Sequence, residues 1–448
     1  MTNTENGKHA EALAVEPIEP ESSQALAPKA LEVSTQEKSV NDELKEIVTD
    51  VISFVPEVGA AFSKIIAFFW PASEADPQKI WNMIKKYAEA YMKELVDEKI
   101  SQERITELEK RLAGIHQVLK DYQETSVGVA QKGQWFTDVL TALDLAEPFF
   151  FDKRNPEKTL PYFTSMGTIK LAALREQVLF YDKIYGVKDP DAAKHLKQLQ
   201  DKITEYKETA HALADAAVAW RLGKVTMFTT SEQDGWFSKY EHWHARDAMD
   251  GWQIDGHYTE KAVVQYEFNN RWNQIHEQFR AEMDVFIETS YLWPYLDPTV
   301  TKKPTRTPVI VKSGPFGGRN GSPFLDNPNG QPITRVAMYI DSRFIKAIEV
   351  YYGGQSGGLH RGGDAQLQNL ELQAGEKIVA AHGSAGDALE TLFLTTNMNR
   401  EVGGGGGGNP VWSAAPPKGK DAALVAIEGK VGGSIEGITF HWQYLRDQ

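Results

Sequence analysis

Residues 160–186 read LPYFTSMGTIKLAALREQVLFYDKIYG, and the fold of the first half turns on where this stretch lies. Apolar residues occur around its whole circumference and not along one stripe, which predicts a helix enclosed by other helices. Residues 134–151 (QWFTDVLTALDLAEPFFF) share that character, so 134–186 forms a candidate inner hairpin. Charges interrupt the second segment. Thr164, Thr168, Arg175 and Asp182 share one face at helical spacing, whereas Lys170, Glu176 and Lys183 point elsewhere. Periodicity by itself reads this helix as a core element whose charges are paired inside a bundle.

Flanking segments supply the neighbours. Trp81, Ile84, Ala88, Tyr91 and Leu95, then Ile105, Leu108, Leu112, Ile115, Leu119 and Tyr122, recur every three or four residues, as in two amphipathic helices broken near Ser101. Residues 191–222 and 269–293 have helical spacing as well, the latter through Trp272, Ile275, Phe279, Met283 and Phe286. Six or seven helices therefore fill 44–296. The apolar run 51–70 (VISFVPEVGAAFSKIIAFFW) is long enough to span a bilayer, but it carries Pro56, Glu57 and Lys64. A charge at mid-bilayer costs about 2.5 kcal/mol or more, so a helix buried in protein is expected there. Residues 223–265, with Trp236, Trp243 and Trp252, show no period and read as a long ordered connection.

Past residue 297 the pattern changes. DPTVTKKPTRTPVIVKSGP (297–315) holds four prolines and four basic residues and reads as an extended linker open to a trypsin-like protease. Beyond it come short alternating runs, RVAMYI, AIEVYY, EKIVAA, ETLFLTT, ALVAIEG and GITFHW, separated by glycine-rich turns. The last third is thus all-β. Domain assignments follow: a disordered or removable leader at 1–43, a helical domain at 44–298, a linker at 299–313 and a β domain at 314–448. The leader is rich in Glu, Pro, Ser and Ala, and its start does not read as a secretory signal.

The 448-residue chain has a formal charge of −14, which sets net repulsion against nucleic acid and anionic head groups. No nucleic-acid partner is expected. With no cysteine there is no disulfide framework and no thiolate nucleophile. His242, His244 and His257 with Asp247 give the only hint of metal spacing, but HxH needs a strand to present both rings on one face, and aromatic packing is the expected role. No nucleophile elbow, phosphate loop or dinucleotide fingerprint occurs, so neither enzyme activity nor a cofactor is expected. Gly403 to Gly408 read as a floppy loop, and Trp412 beyond them as a packing residue.

The helical half resembles the N-terminal pore-forming domain of the insecticidal delta-endotoxins over about 46–298. The resemblance rests on Phe69-Trp70-Pro71, LAGIHQVLKDYQ (112–123), ALDLAEPFF (142–150), the 160–186 helix, and Asn273, Phe279-Arg280, Glu282-Met283 and Trp293-Pro294-Tyr295-Leu296-Asp297. It implies a seven-helix bundle whose inner hairpin, here 134–186, enters a target membrane while several copies line a cation-permeable pore. The 26 residues 161–186 at 1.5 Å each make about 39 Å of helix, more than the roughly 30 Å hydrocarbon core. The 223–265 insertion and the missing third domain depart from that family.

The β half resembles the jacalin-related lectins over 314–448, through GPFGGRNGSPFLD (314–326), AIEVYYGGQSGGLHRGGD (347–364), GEKIVAAHGSAGDALETLFLTTNMNR (375–400) and AIEGKVGGSIEGITFHW (426–442). That similarity implies a β-prism of three Greek-key sheets with a shallow, metal-independent sugar site. The implied carbohydrate-binding residues are Gly317, Gly318, Gly432, Gly433, Ser434, Ile435 and Glu436. Glycines let backbone N–H groups approach ring hydroxyls, and a carboxylate accepts hydrogen bonds from two of them. Glu436 stands where the lectin pattern has Asp. The expected protein is a pore-forming toxin, released without a recognisable signal peptide, that binds a cell-surface glycan or glycoprotein and self-associates in the target membrane. The alternative is a lectin carrying a helical oligomerisation or partner-binding domain and no pore.

Overall fold

The structure, a computed structural model, describes residues 40–53, 60–70, 100–126, 130–150, 156–234, 238–326, 330–417 and 420–448. Seven described α-helices precede the lectin-like half: α1 (Val40–Ser53), α2 (Ala60–Phe69), α3 (Ile100–Glu124), α4 (Ala130–Phe150), α5 (Pro156–Tyr185), α6 (Ala192–Leu222) and α7 (Lys261–Ile287). Two 3-10 turns, Glu288–Tyr291 and Trp293–Leu296, follow α7. The helix expected over 81–95 lies outside the described residues, as do 54–59 of the apolar run. The apolar side of the rest of that run is buried in protein: Phe62, Ile65, Ile66, Phe69 and Trp70 all belong to the helical core, while Lys64 faces solvent. Residues 40–43, assigned to the leader, are already the first turn of α1.

Helix α5 is the centre. Every residue from Thr159 to Gln177 is buried, polar ones included. Several of its polar groups are answered locally, whereas Thr159 Oγ1 and Arg175 Nε have no hydrogen-bond partner among the described residues. Lys170 places Nζ 2.5 Å from Asp144 Oδ1 on α4, and Thr168 Oγ1 accepts the indole N–H of the fully buried Trp293 at 3.0 Å. On α4 the Lys132 ammonium donates to the Tyr122 carbonyl at 2.5 Å and sits over that residue's own ring. Buried charges persist only when paired, and this is the core helix that periodicity describes. None of the described helices is both long and apolar enough to cross a membrane.

The stretch without a period is a three-stranded antiparallel sheet, β1 (Val225–Asp234), β2 (Ser238–Asp247) and β3 (Gln253–Gly256). Cross-strand pairs put Phe228 opposite His244 and Thr230 opposite His242, so one face mixes aromatic, hydroxyl and imidazole groups. That mixture hides the alternation on which strand recognition depends. Asp247 ends β2 and pins the sheet to the helices. Its buried carboxylate accepts from Arg221 of α6 at 2.7 and 3.0 Å and from Arg271 of α7 at 3.0 Å.

Twelve further strands form three four-stranded antiparallel sheets among the described residues, a β-prism. They are β4 (Arg306–Gly317), β5 (Ser322–Leu325), β6 (Ile333–Ile340), β7 (Ile345–Tyr352), β8 (Gln355–Arg361), β9 (Gln366–Glu371), β10 (Ile378–Ala385), β11 (Leu389–Thr396), β12 (Glu401–Gly405), β13 (Val411–Ala414), β14 (Ala423–Val431) and β15 (Ile435–Asp447). The strand orders are β4-β15-β14-β5, β8-β7-β6-β9 and β12-β11-β10-β13. Inward residues of the sheets, among them Val336, Ile348, Leu392, Ile438 and Trp442, make one core.

Two expectations change here. Residues 306–313, read as linker, belong to β4 and pair with β15 from Arg306–Asp447 to Ser313–Phe440. Pro308 is tolerated because β4 is an edge strand, where a missing N–H breaks no ladder. The six-glycine run is also not a floppy loop throughout. Gly403, Gly404 and Gly405 are strand residues of β12 paired with β11, and a Cβ on Gly403 would fall 2.1 Å from the Leu392 carbonyl oxygen. Trp412 packs as expected, stacked on Phe316 at 4.3 Å between ring centres.

Helix α7 seats the prism. Ala281 joins Val309, Val311, Ala422 and Tyr444 in a small apolar cluster, and Gln274 donates to the Pro315 carbonyl at 2.9 Å. Tyr266 lies beneath the Arg319 guanidinium, 5.7 Å from its ring centre. Residues 266, 274 and 281 fall on one helix face, so α7 runs antiparallel along β4 from Val311 to the loop at Arg319. Glu288, buried beyond α7, is bound by Lys45 of α1 and Lys420 of the β13–β14 loop.

Candidate functional site

The implied carbohydrate residues converge at the end of the prism where β4 and β14 finish. Gly317 closes β4 with φ +99°, a left-handed value that favours glycine, and pairs with Gly437. Next to it, Gly318 donates its N–H to the Glu436 carbonyl at 2.6 Å. Those two segments are therefore one unit.

On the other side Gly432-Gly433-Ser434 turns the chain from β14 into β15, with the Gly432 N–H donating to the Ser434 carbonyl at 2.9 Å. Ile435 and Ser434 are buried and anchor the turn, whereas Gly432 and Gly433 face solvent. Glu436 is half-buried. Its carboxylate folds back over Gly432, with Oε1 2.8 Å from where a Cβ on that glycine would sit. All seven sequence-derived residues thus lie in two adjoining loops joined through backbone.

Other loops that sequence reasoning missed complete the rim. The β10–β11 turn brings Asp387 so close that a Cβ on Gly318 would lie 2.1 Å from its carbonyl oxygen, and its side chain is exposed. The backbone of Gly362, after β8, lies directly against Gly433 and Ser434. The β12–β13 loop reaches the same end, since the Ala385 N–H donates to the Pro410 carbonyl at 3.1 Å. The only sequence signal for Asp387 was a Gly-Asp turn between two strands, which marks a turn and not a partner. Chemically, the arrangement offers exposed backbone at two glycines and a half-buried carboxylate, with a second exposed carboxylate nearby. Such a set suits a neutral polyhydroxyl ligand.

The histidine cluster resolves differently. Strand β2 does present His242 and His244 on one face. His244 lies between Thr230 Oγ1 and Asp255 Oδ1, each at 2.7 Å, and stacks on Phe228; His242 sits 3.1 Å from Glu232. Asp247 points to the opposite face, toward its arginines. Among the described residues no group of three His, Asp or Glu side chains is placed to hold a metal ion.

Comparison with known proteins agrees with both halves. Residues 47–242 match the family model described as delta endotoxin, N-terminal domain, and residues 313–441 match the Jacalin-like lectin domain. Zymogen granule membrane protein 16 of Rattus norvegicus is 26% identical over 132 residues, 29% of this chain and 78% of that protein. The crystal structure of the insecticidal delta-endotoxin Cry8Ea1 from Bacillus thuringiensis superposes with a TM-score of 0.51 at 14% identity, covering 91% of this chain and 74% of that one. A prostate-specific WGA16 glycoprotein lectin matches at 26% identity over 29% of this chain and 96% of that one, with a TM-score of 0.26. The chain therefore joins a delta-endotoxin-type helical domain to a jacalin-like lectin domain, the organisation of a toxin-like protein with a glycan-binding module. Neither family is one of enzymes.

Proposed function

We propose that this chain is a pore-forming, insecticidal toxin whose prism docks on a cell-surface glycan or glycoprotein before the α4–α5 hairpin enters the membrane. The observation that carries this reading is the polarity of α5. A helix wholly enclosed in a bundle gains nothing from buried Thr164, Thr168, Lys170, Arg175, Glu176 and Gln177, since well-packed apolar residues there are often as stabilising or more so. A helix that must later line water needs such groups. The backbone leaves helical values at Phe180, and the residues before that kink, 156–179, span about 36 Å at 1.5 Å each, enough to cross the roughly 30 Å hydrocarbon core with some tilt. Because the helix is not apolar enough to cross by itself, several copies would share its polar surface inside an oligomer. Docking raises the local concentration that such assembly requires. The protein then acts outside the cell that makes it, at the target membrane, and without enzymatic chemistry.

Dye release tests the pore directly. Liposomes carrying target-membrane glycoproteins are expected to leak on addition of the protein, before or after trypsin treatment. No leakage at acid, neutral or alkaline pH, trimmed or untrimmed, would leave the alternative of a lectin with a helical partner-binding scaffold. Targeting is tested separately on a glycan array. Glu436→Ala is expected to weaken hexose binding by roughly tenfold or more, the loss of one or two hydrogen bonds to a charged acceptor. An unchanged profile removes Glu436 from the site.

A further inference from the structure

The outer face of the β4-β15-β14-β5 sheet is partly roofed by the first turns of α7. Tyr266 overhangs Pro323, Leu325, Glu428, Lys430 and Thr439 across a cleft of about 460 Å³, and Gly318 of the loop site lines the same cleft. At Leu325 it meets a second hollow of about 710 Å³, which continues over Ile310 and Ala423 toward Leu445. The two hollows share Leu325 as a wall, and the first runs from Gly318 of the loop site under a residue of the helical half.

Its chemistry alternates. Leu325 is 61% exposed and Pro323 sits beside it, while Glu428 is held in place by Lys312 at 3.0 and 3.1 Å and by His441 at 3.2 Å. Lys430 is tied to the Arg319 carbonyl at 2.7 Å. Apolar patches bordered by fixed hydrogen-bonding groups match a pyranose, which has a C–H face and a rim of hydroxyls. Tyr266 is set from both sides, by Arg319 over its ring and by the Gln274–Pro315 bond two turns along the same helix face.

We propose that this cleft is a second saccharide subsite, in which Tyr266 stacks on an inner sugar of a neutral oligosaccharide whose end occupies the Gly318–Glu436 loops. The inference rests on the loop site being a sugar site. Its consequence is that longer glycans are held by both domains at once, and the helical half contributes to specificity.

The test uses the full chain, titrated calorimetrically with methyl hexosides and with linear neutral tri- to pentasaccharides chosen from an array. Tyr266→Ala is expected to lower oligosaccharide affinity about tenfold and to leave the monosaccharide affinity unchanged, whereas Tyr266→Phe restores binding. Leu325→Ser, at an exposed position where folding is not at stake, is expected to give the same selective loss. Equal losses for short and long sugars, or no loss with either variant, would overturn the subsite while leaving the loop site standing. Wild-type protein that binds no saccharide of any length overturns both.

Discussion

Replacing Asp247 by alanine is expected to lower the unfolding free energy by about 3–5 kcal/mol, among the largest effects any single change in this chain should have. The carboxylate is buried and receives Arg221 and Arg271 together, with the Met249 N–H donating at 3.1 Å. Removing it strands the mostly buried Arg221 guanidinium and leaves Arg271 only its ion pair with Asp250, between α6, α7 and the three-stranded sheet. Burial opposes ionisation of Asp247, but the hydrogen bonds from Arg221 and Met249 and the charges of both arginines outweigh it and hold its carboxyl below the usual range.

The sign of the pH dependence follows. A depressed native pKa contributes stability that is fully present above the unfolded value near 3.9 and is lost as pH falls through the native value. Urea midpoints of the wild type should therefore fall below about pH 4, and those of Asp247→Asn should fall less because that contribution is already gone. An alanine variant with an unchanged midpoint at neutral pH would mean that the arginines find other partners.

Gly318→Ala is expected to abolish hexose binding, with an affinity loss of roughly a hundredfold or more. The new Cβ lies 2.1 Å from the Asp387 carbonyl oxygen and 2.7 Å from its carbon. Both are backbone atoms, so the loop itself must move. Overpacking of this kind costs about 1–3 kcal/mol. It also pulls Gly318 N–H off the Glu436 carbonyl, the bond that joins the two halves of the site. Gly433 gives the comparison in the other loop, because a Cβ there meets no protein atom within 4 Å and lowers affinity only by occupying the ligand's own space. Titration of both alanine variants with the same sugar decides the matter. Equal losses at the two positions would show that the loops tolerate no change at all, and the specific contact at Asp387 would carry no weight.

Much of this was legible in the chain. Apolar circumference located α5, and the structure encloses it from Thr159 to Gln177. Charged residues within it were expected to be paired, and Lys170 with Asp144 bears that out. Period-two runs located the strands of the prism, and two glycine-bearing segments located the loops that meet at its end. In each case the signal was local, a repeat or a turn residue that reports the environment of its own segment.

What failed to show was decided at a distance. Prolines near 300–315 spoke for a linker, yet β15 recruits Pro308 into an edge strand where a missing N–H is harmless. Glycines 403–405 spoke for looseness, but the backbone of β11 leaves no room for side chains there. The three-stranded sheet escaped because its polar and aromatic residues share a face, and only pairing across strands reveals it. Asp387 and Tyr266 carry no motif, and each reaches the site from a different part of the chain.

The sequence by itself determined the enclosed helices, the period-two strands of the prism and which two families they resemble, because hydrophobic period and turn chemistry act over a few residues. Only the tertiary structure decided that α7 lies along β4. That placement depends on contacts between residues far apart in the chain, at Ala281, Gln274 and Tyr266, and it brings a tyrosine of the helical half to the border of the loop site.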